Sequence, residues 1–157
     1  MMDQGSGDRA LVRRVGEGTN NQTFDLHRIF LVRSDESKGA FSHWIENVPP
    51  GAGPPMHVHH REQEMFRVLA GQFRFWCAGE AQDLTDGDTV LIPKGAPHTF
   101  KNVGPSKGQL LITLTPGDGD GFFIEVERLG LTPARDMPQI VEIAGRYGVE
   151  FVGPPPA

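Results

Sequence analysis

Residues 51–71 read GAGPPMHVHHREQEMFRVLAG, and the histidines and glutamates in this stretch decide how the chain is read. Alternate residues of a strand face the same way. Met56 to His59, taken as a short strand, therefore points His57 and His59 to one side, with imidazoles close enough to hold one ion. Glu64 has the opposite parity and cannot continue that face on an unbroken strand. The polar stretch His60 to Gln63 supplies the break, and on the strand that follows Glu64 shares a face with Phe66 and Val68. A carboxylate among apolar residues is costly unless a positive charge compensates it, and a metal ion would do so. Just upstream, Pro49-Pro50-Gly51-Ala52-Gly53-Pro54-Pro55 stops any central strand, because proline donates no ladder hydrogen bond.

A fourth donor lies 34 residues beyond Glu64. Pro93-Lys94-Gly95 turns the chain into Ala96-Pro97-His98-Thr99-Phe100, with His98 and Phe100 on one face. Imidazole and carboxylate together suit zinc, iron, nickel, cobalt or manganese rather than calcium. Glu62 shares Glu64's parity and is the second choice of carboxylate ligand, but it lies nearer the turn and is expected to be solvated. His60 alternates away from His57 and His59 and is expected at the surface. His43 shares a face with Phe41 and Ile45 and reads as a core histidine with a hydrogen-bonded ring. Phe66, Phe73, Phe75 and Phe100 read as packing that can also line an aromatic pocket. Cys77 reads as a small buried hydrophobe. Asp83, Asp86 and Asp88 read as turn residues, not a calcium site.

Further out, the pattern is of short strands. Ala10 to Val15 is a candidate strand and Gly16 to Asn21 a turn. Phe24 to Val32 is a strand with Leu26, Arg28, Phe30 and Val32 on one face, and Phe41 to Val48 alternates. Glu64 to Leu69 and Gln72 to Cys77 flank Ala70-Gly71, a hairpin signal. Ala81 to Leu84, Thr89 to Ile92, His98 to Val103 and Gln109 to Thr115 have strand length between glycine turns. Phe122 to Glu127 fits strand or helix. Ile140, Ile143, Ala144 and Tyr147 define one helix face over Pro138 to Tyr147, with Asp136 as N-cap and Gly148 as stop. Met1 to Gly7 and Gly153 to Ala157 read as tails. Strands and turns at this spacing predict an all-β barrel or sandwich.

Composition agrees. With 157 residues the chain is one domain in size, and its 20 glycines and 13 prolines favour many tight turns over long helices. A net charge of −5 with only 15 Lys and Arg argues against nucleic acid as a partner. The single Cys77 cannot make an internal disulfide. No apolar run reaches the ~20 residues of a membrane span, and Met1 to Ala10 lacks the apolar stretch of a signal peptide. The expectation is a soluble cytoplasmic protein without membrane contact.

The stretch Gly51 to Gly71 matches the first cupin motif, G-x5-H-x-H-x4-E-x6-G, through Gly51, His57, His59, Glu64 and Gly71. Gly87 to Asn102 matches the second, G-x5-P-x-G-x2-H-x3-N, through Gly87, Pro93, Gly95, His98 and Asn102. The chain thus resembles the cupin superfamily. The flanks, residues 53–59 and 144–151, are similar to the single-domain bacterial cupins grouped with quercetin dioxygenases. The resemblance implies a cupin double-stranded β-helix, a small β-barrel, filling residues 1–157 as one domain. Its core would span about 41–115, its N-terminal strands 10–32, and a short C-terminal helix about 138–147. It implies that His57, His59, Glu64 and His98 coordinate one divalent ion: iron, manganese, nickel, cobalt, copper or zinc.

The implied activity is oxidoreductase, a dioxygenase acting on a small enolic or aromatic, flavonol-like substrate, with Glu64 also serving as general base. Two alternatives are a metal-dependent isomerase of a sugar or small acid, and a non-catalytic module that binds a ligand through its metal. The expected partners are a small-molecule substrate and a second copy of the chain, joined as a homodimer through Ala10 to Val32.

Overall fold

Proline and glycine cut this chain into strands too short to stand alone, and the molecule solves this by stacking them as two sheets around one core. The computed structural model describes residues 9–157; the tail read at Met1 to Gly7 lies outside them. The elements run β1 (Thr19–Thr23), β2 (Leu26–Val32), β3 (Ser42–Val48), β4 (Met56–His59), β5 (Gln63–Ala70), β6 (Gln72–Cys77), β7 (Glu80–Thr85), β8 (Thr89–Ile92), β9 (His98–Asn102), β10 (Gly108–Thr115), α1 (Asp120–Arg128), α2 (Pro133–Arg146) and β11 (Val149–Gly153). One sheet is ordered β1-β2-β3-β10-β5-β8 and the other β11-β4-β9-β6-β7, and the strand pairs are antiparallel. This is the all-β double-stranded β-helix that the motifs imply.

Alternation does the sorting. In β5, Glu64, Phe66 and Val68 are buried while Met65 and Arg67 face out; in β10, Leu110, Ile112 and Leu114 are buried in the same rhythm. The two inner faces meet in a core of Phe30, Trp44, Phe66, Phe73, Phe75 and Phe100 with their aliphatic neighbours. Fully burying one such ring is worth about 1.5–3 kcal/mol, so these aromatics dominate what holds the sheets together. A second, smaller cluster joins Phe122 and Val126 of α1 to Ile140, Ile143 and Ala144 of α2 and Val149 of β11.

Several elements differ from the sequence reading. Ala10 to Val15 forms no strand; the first strand, β1, falls largely where a turn was expected. It is held by pairing with β2, from Thr19 opposite Phe30 to Thr23 opposite Leu26. The two residues between, Phe24 and Asp25, have φ of 56° and 58°, the positive pair that suits a two-residue hairpin turn. Ala70-Gly71 is not a hairpin. β5 pairs with β8 and β10, β6 with β7 and β9, so the chain changes sheet at Gly71. A side chain there would meet Gly108 Cα at 3.1 Å, and φ is +112°.

The C-terminal region also departs from expectation. Phe122 to Glu127 is helical, as α1. The C-terminal helix starts earlier than expected, with Pro133 in its first turn, and is kinked at Asp136. Asp136 thus sits inside the bend, its carboxylate accepting from the Thr132 amide. Gly148, with φ +71°, follows the helix as anticipated, and the next residues form β11 along β4. No helix among the described residues is long and apolar enough to cross a membrane.

Candidate metal centre

Three strands bring the four donors together. β4 and β9 are neighbours, and their register sets His57 directly opposite His98, with ring centroids 4.4 Å apart. His59, two residues along β4, lies 5.1 Å from His57 and 5.4 Å from His98. Glu64 comes from the other sheet. The chain break at His60 to Gln63 turns it inward on β5, where Oε1 lies 3.1 Å from His98 Nε2 and 3.6 Å from His59 Nε2. All four ligand atoms fall within 4.8 Å of one another. His59, Glu64 and His98 are buried and His57 nearly so.

The outer ring nitrogens fix how these imidazoles face. His57 Nδ1 donates to the Pro55 carbonyl at 2.8 Å, and His98 Nδ1 to the Ala96 carbonyl at 2.9 Å. A carbonyl only accepts, so Nδ1 carries the proton and the Nε2 lone pair points inward. Two nitrogen lone pairs and a carboxylate then converge on one point with no hydrogen between them, an arrangement that needs a cation. Burial, reinforced by the neighbouring His98 and His59, pushes His57 down to about 3. Burial alone would raise the Glu64 carboxyl, but His59, His98 and His57 together draw it down to about 2. Burial would lower His59 as well, yet Glu64 and Glu62 hold it above its ordinary value. A carboxylate beside imidazole nitrogens is a donor set for a borderline divalent ion, and the cluster is positioned for a metal.

His60 is exposed and pairs with Glu150 at 2.7 Å, a surface residue as expected. Asp83, Asp86 and Asp88 do serve turns and exposed pairs. Glu62, expected in solvent, is only 1% exposed and lies beside His59. His43 is not in the core. It sits half-buried on the outer face of β3, its Nδ1 2.8 Å from Thr113 Oγ1, because the inward residues of β3 are Ser42, Trp44 and Glu46. Cys77 is half-buried against the core.

Sequence reasoning passed over the reason polar Glu46 points inward. Arg28 is its direct cross-strand partner. The guanidinium NH2 meets Glu46 Oε1 at 2.5 Å, Nε meets Oε2 at 3.3 Å, and Trp44 Nε1 donates to the same Oε2 at 2.7 Å. Asn21 and Thr23 of β1 accept from NH1, and the Phe123 ring covers the guanidinium at 4.0 Å. The available signal was an arginine and a glutamate on inward parities of neighbouring strands. The pair lines a cavity of about 50 Å³ that also touches His57, His59 and Glu64. Its other walls include Leu26, Phe66, Phe100, Ile112, Phe123 and Phe151. Phe66 and Phe100 thus serve both packing and this cavity, whereas Phe73 and Phe75 belong to the core and do not line it.

The sequence profile of the cupin domain matches residues 44–122, which include both motifs. The chain belongs to the cupin family. This cupin is 28% identical over 123 residues to quercetin 2,3-dioxygenase of Bacillus subtilis, an alignment covering 78% of the chain and 33% of that enzyme. It is 26% identical over 106 residues to germin-like protein 3-3 of rice, Oryza sativa subsp. japonica, covering 62% of the chain and 46% of that protein. The chain therefore spans a third to a half of the length of these relatives. Among solved structures, that of a predicted oxalate decarboxylase from Thermotoga maritima superposes with a TM-score of 0.62 at 21% identity, over 67% of this chain and 98% of that one. At that identity the likeness establishes the fold alone.

Proposed function

We propose that this cupin is a metal-dependent dioxygenase acting on a small enolic or aromatic substrate. The observation that carries the reading is the cavity: His57, His59 and Glu64 of the four-residue cluster line it, and its other walls are aromatic and aliphatic apart from one charge-compensated pair. A divalent iron, manganese, nickel, cobalt, copper or zinc ion held by these four residues would supply a Lewis acid and, where redox-active, a route for electrons to dioxygen. The likeness to quercetin 2,3-dioxygenase supports the same assignment.

The chain's own groups divide the work. Phe66, Phe100 and Ile112 bind a flat apolar body and exclude water. Glu46 is occupied by Arg28 and Trp44, so Glu64 is the carboxylate left at the reacting end to take a hydroxyl proton from the substrate. The Arg28–Glu46 pair is the polar patch on the remaining wall, and it orients a substrate that carries a second oxygen. At about 50 Å³ the cavity is well below the ~150 Å³ that accommodates a benzene ring. Substrate binding therefore requires the Phe123 or Phe151 wall to move.

The test is oxygen uptake on a panel of flavonols and small diketones, using protein refilled separately with iron, manganese, nickel and cobalt. Substrate-dependent uptake with at least one metal is expected. No uptake with any of them removes the dioxygenase reading. Turnover of a sugar or small acid without oxygen would point to an isomerase, and saturable binding without product to a ligand-binding module.

A further inference from the structure

The three clustered histidines are each faced at Nδ1, but not by the same kind of group. His57 and His98 donate to backbone carbonyls two residues upstream. His59 faces a carboxylate instead, with Glu62 Oε2 at 3.5 Å from its Nδ1. Neither atom has any other partner: both are buried without a hydrogen bond. Among the described residues His59 is the one charged partner within ion-pair distance of Glu62. A buried carboxylate with so little compensation is expensive to keep. The fold nevertheless makes room for it. At Gly119 a Cβ would come within 3.2 Å of Glu62 Oε1 and 2.7 Å of Leu114 Cδ2, so a larger residue there would press on the Glu62 carboxylate.

We infer that Glu62 is a positioning residue of the metal centre: it accepts the Nδ1 proton of His59 and holds that imidazole with Nε2 bare toward the ion. The inference rests on the cluster holding a metal and on no particular reaction. The separation of 3.5 Å is the outer limit of a hydrogen bond, and a small rotation of either side chain closes it once Nε2 is engaged. A carboxylate partner makes an imidazole a stronger donor than a carbonyl does, so His59 is the most electron-rich of the three. Charge completes the account. A divalent ion bound by three neutral imidazoles and Glu64 carries one net positive charge, and Glu62 cancels it inside the protein.

The experiment compares wild type, Glu62→Gln and Glu62→Leu for cobalt(II) affinity, by competition with a colorimetric chelator, together with the visible spectrum of the cobalt-loaded proteins. Both variants should still bind one ion, 10–100-fold more weakly, with Leu weaker than Gln and the ligand-field bands shifted from wild type. The metal-free Leu variant should unfold at the same or a higher urea concentration than wild type, because it no longer buries an unpaired anion. Affinities within threefold of wild type and unchanged bands would overturn the inference. So would a loss as complete as that of Glu64→Gln, which would make Glu62 itself a ligand. A metal-free Leu variant that fails to fold, beside a Gln variant that binds like wild type, would make the role structural. If wild type binds none of cobalt, zinc, iron, manganese or nickel, the inference falls with the metal centre. If it binds metal and consumes no oxygen, only the dioxygenase reading falls.

Discussion

His57 and His98 stand opposite each other on neighbouring strands, with Glu64 reaching them from the other sheet, so losing any one donor leaves the rest misaligned for an ion. His59→Ala should carry well under one metal per chain by elemental analysis; full retention would place the ion elsewhere. Glu64 has two proposed roles that can be separated. If it is ligand and base, Glu64→Gln refilled with metal should remain about 10²–10⁴-fold slow, the usual loss for a general base; a rate within about threefold of wild type would leave it a ligand only. His57 and His59 were legible as a pair because their spacing fixes parity on a strand, which is local; the two motifs joined Glu64 and His98 to them. Parity does not say which face is the inside, and this is why His43 was misplaced; Glu62 has the inward parity of Glu64, and nearness to the turn did not bring it into solvent. Ser42 and Glu46 looked like an outward face until Asp120 and Arg28, distant in sequence, supplied their partners. The consequence for His43 is measurable. Burial holds its ring below the ordinary value, outweighing the backbone of Ile112 that favours its charge. The unfolded chain therefore takes up a proton near pH 6.5 that the folded protein refuses, and stability falls as pH drops through 6.5. Urea midpoints at pH 7.5 and 5.5 should show a smaller loss in His43→Gln than in wild type; equal losses would count against this.

At the level of elements, the strands between glycine turns were readable, but how they pair was not. Ala70-Gly71 has the composition of a hairpin, and only the partners of β5 and β6 reveal that the chain changes sheet there. β1 was missed for a related reason. Thr19-Asn20-Asn21-Gln22-Thr23 has little strand propensity of its own, and Phe24 is an unusual residue at positive φ. Its ring is held by Phe122 and Phe151, each at 6.0 Å, contacts between residues far apart in the chain. α1 matters most for function. It carries Phe123, which covers Arg28, and its backbone accepts from Asn21 at 3.0 Å, tying the helix to β1 at the cavity wall. Phe123→Ala should enlarge the cavity and weaken the discrimination against larger aromatic ligands. In wild type, affinity should fall steeply as rings are added; in the variant, calorimetry on a size-graded ligand series should show a shallower fall. An unchanged size dependence would mean that this wall does not gate the cavity.

For the whole molecule, the decisive property is that two open sheets have edges. β1 is an edge strand of the six-stranded sheet; Glu127 of α1 takes its Gln22 amide, and the edge groups that remain can pair with another chain. Leu11, Val12 and Val15, just before β1 in the chain, are exposed. They add apolar area beside an edge strand, which is the combination that marks a contact surface. We propose that two copies associate through this region, the segment Ala10 to Val32, in the isologous manner of a two-fold dimer. Each copy would then cover the other's β1 edge and apolar arm, while the metal cluster, inside the barrel, is untouched. Light scattering at micromolar concentration should give twice the 17.2 kDa of the chain. A Val12→Asp, Val15→Asp double variant should shift the mass to one chain, because two carboxylates per copy would have to be buried against the two-fold axis. Its metal content should stay at the wild-type level, since neither residue contacts the cluster. A wild-type mass of one chain would remove the dimer, and a double variant that stays dimeric would move the interface away from the N-terminal arm.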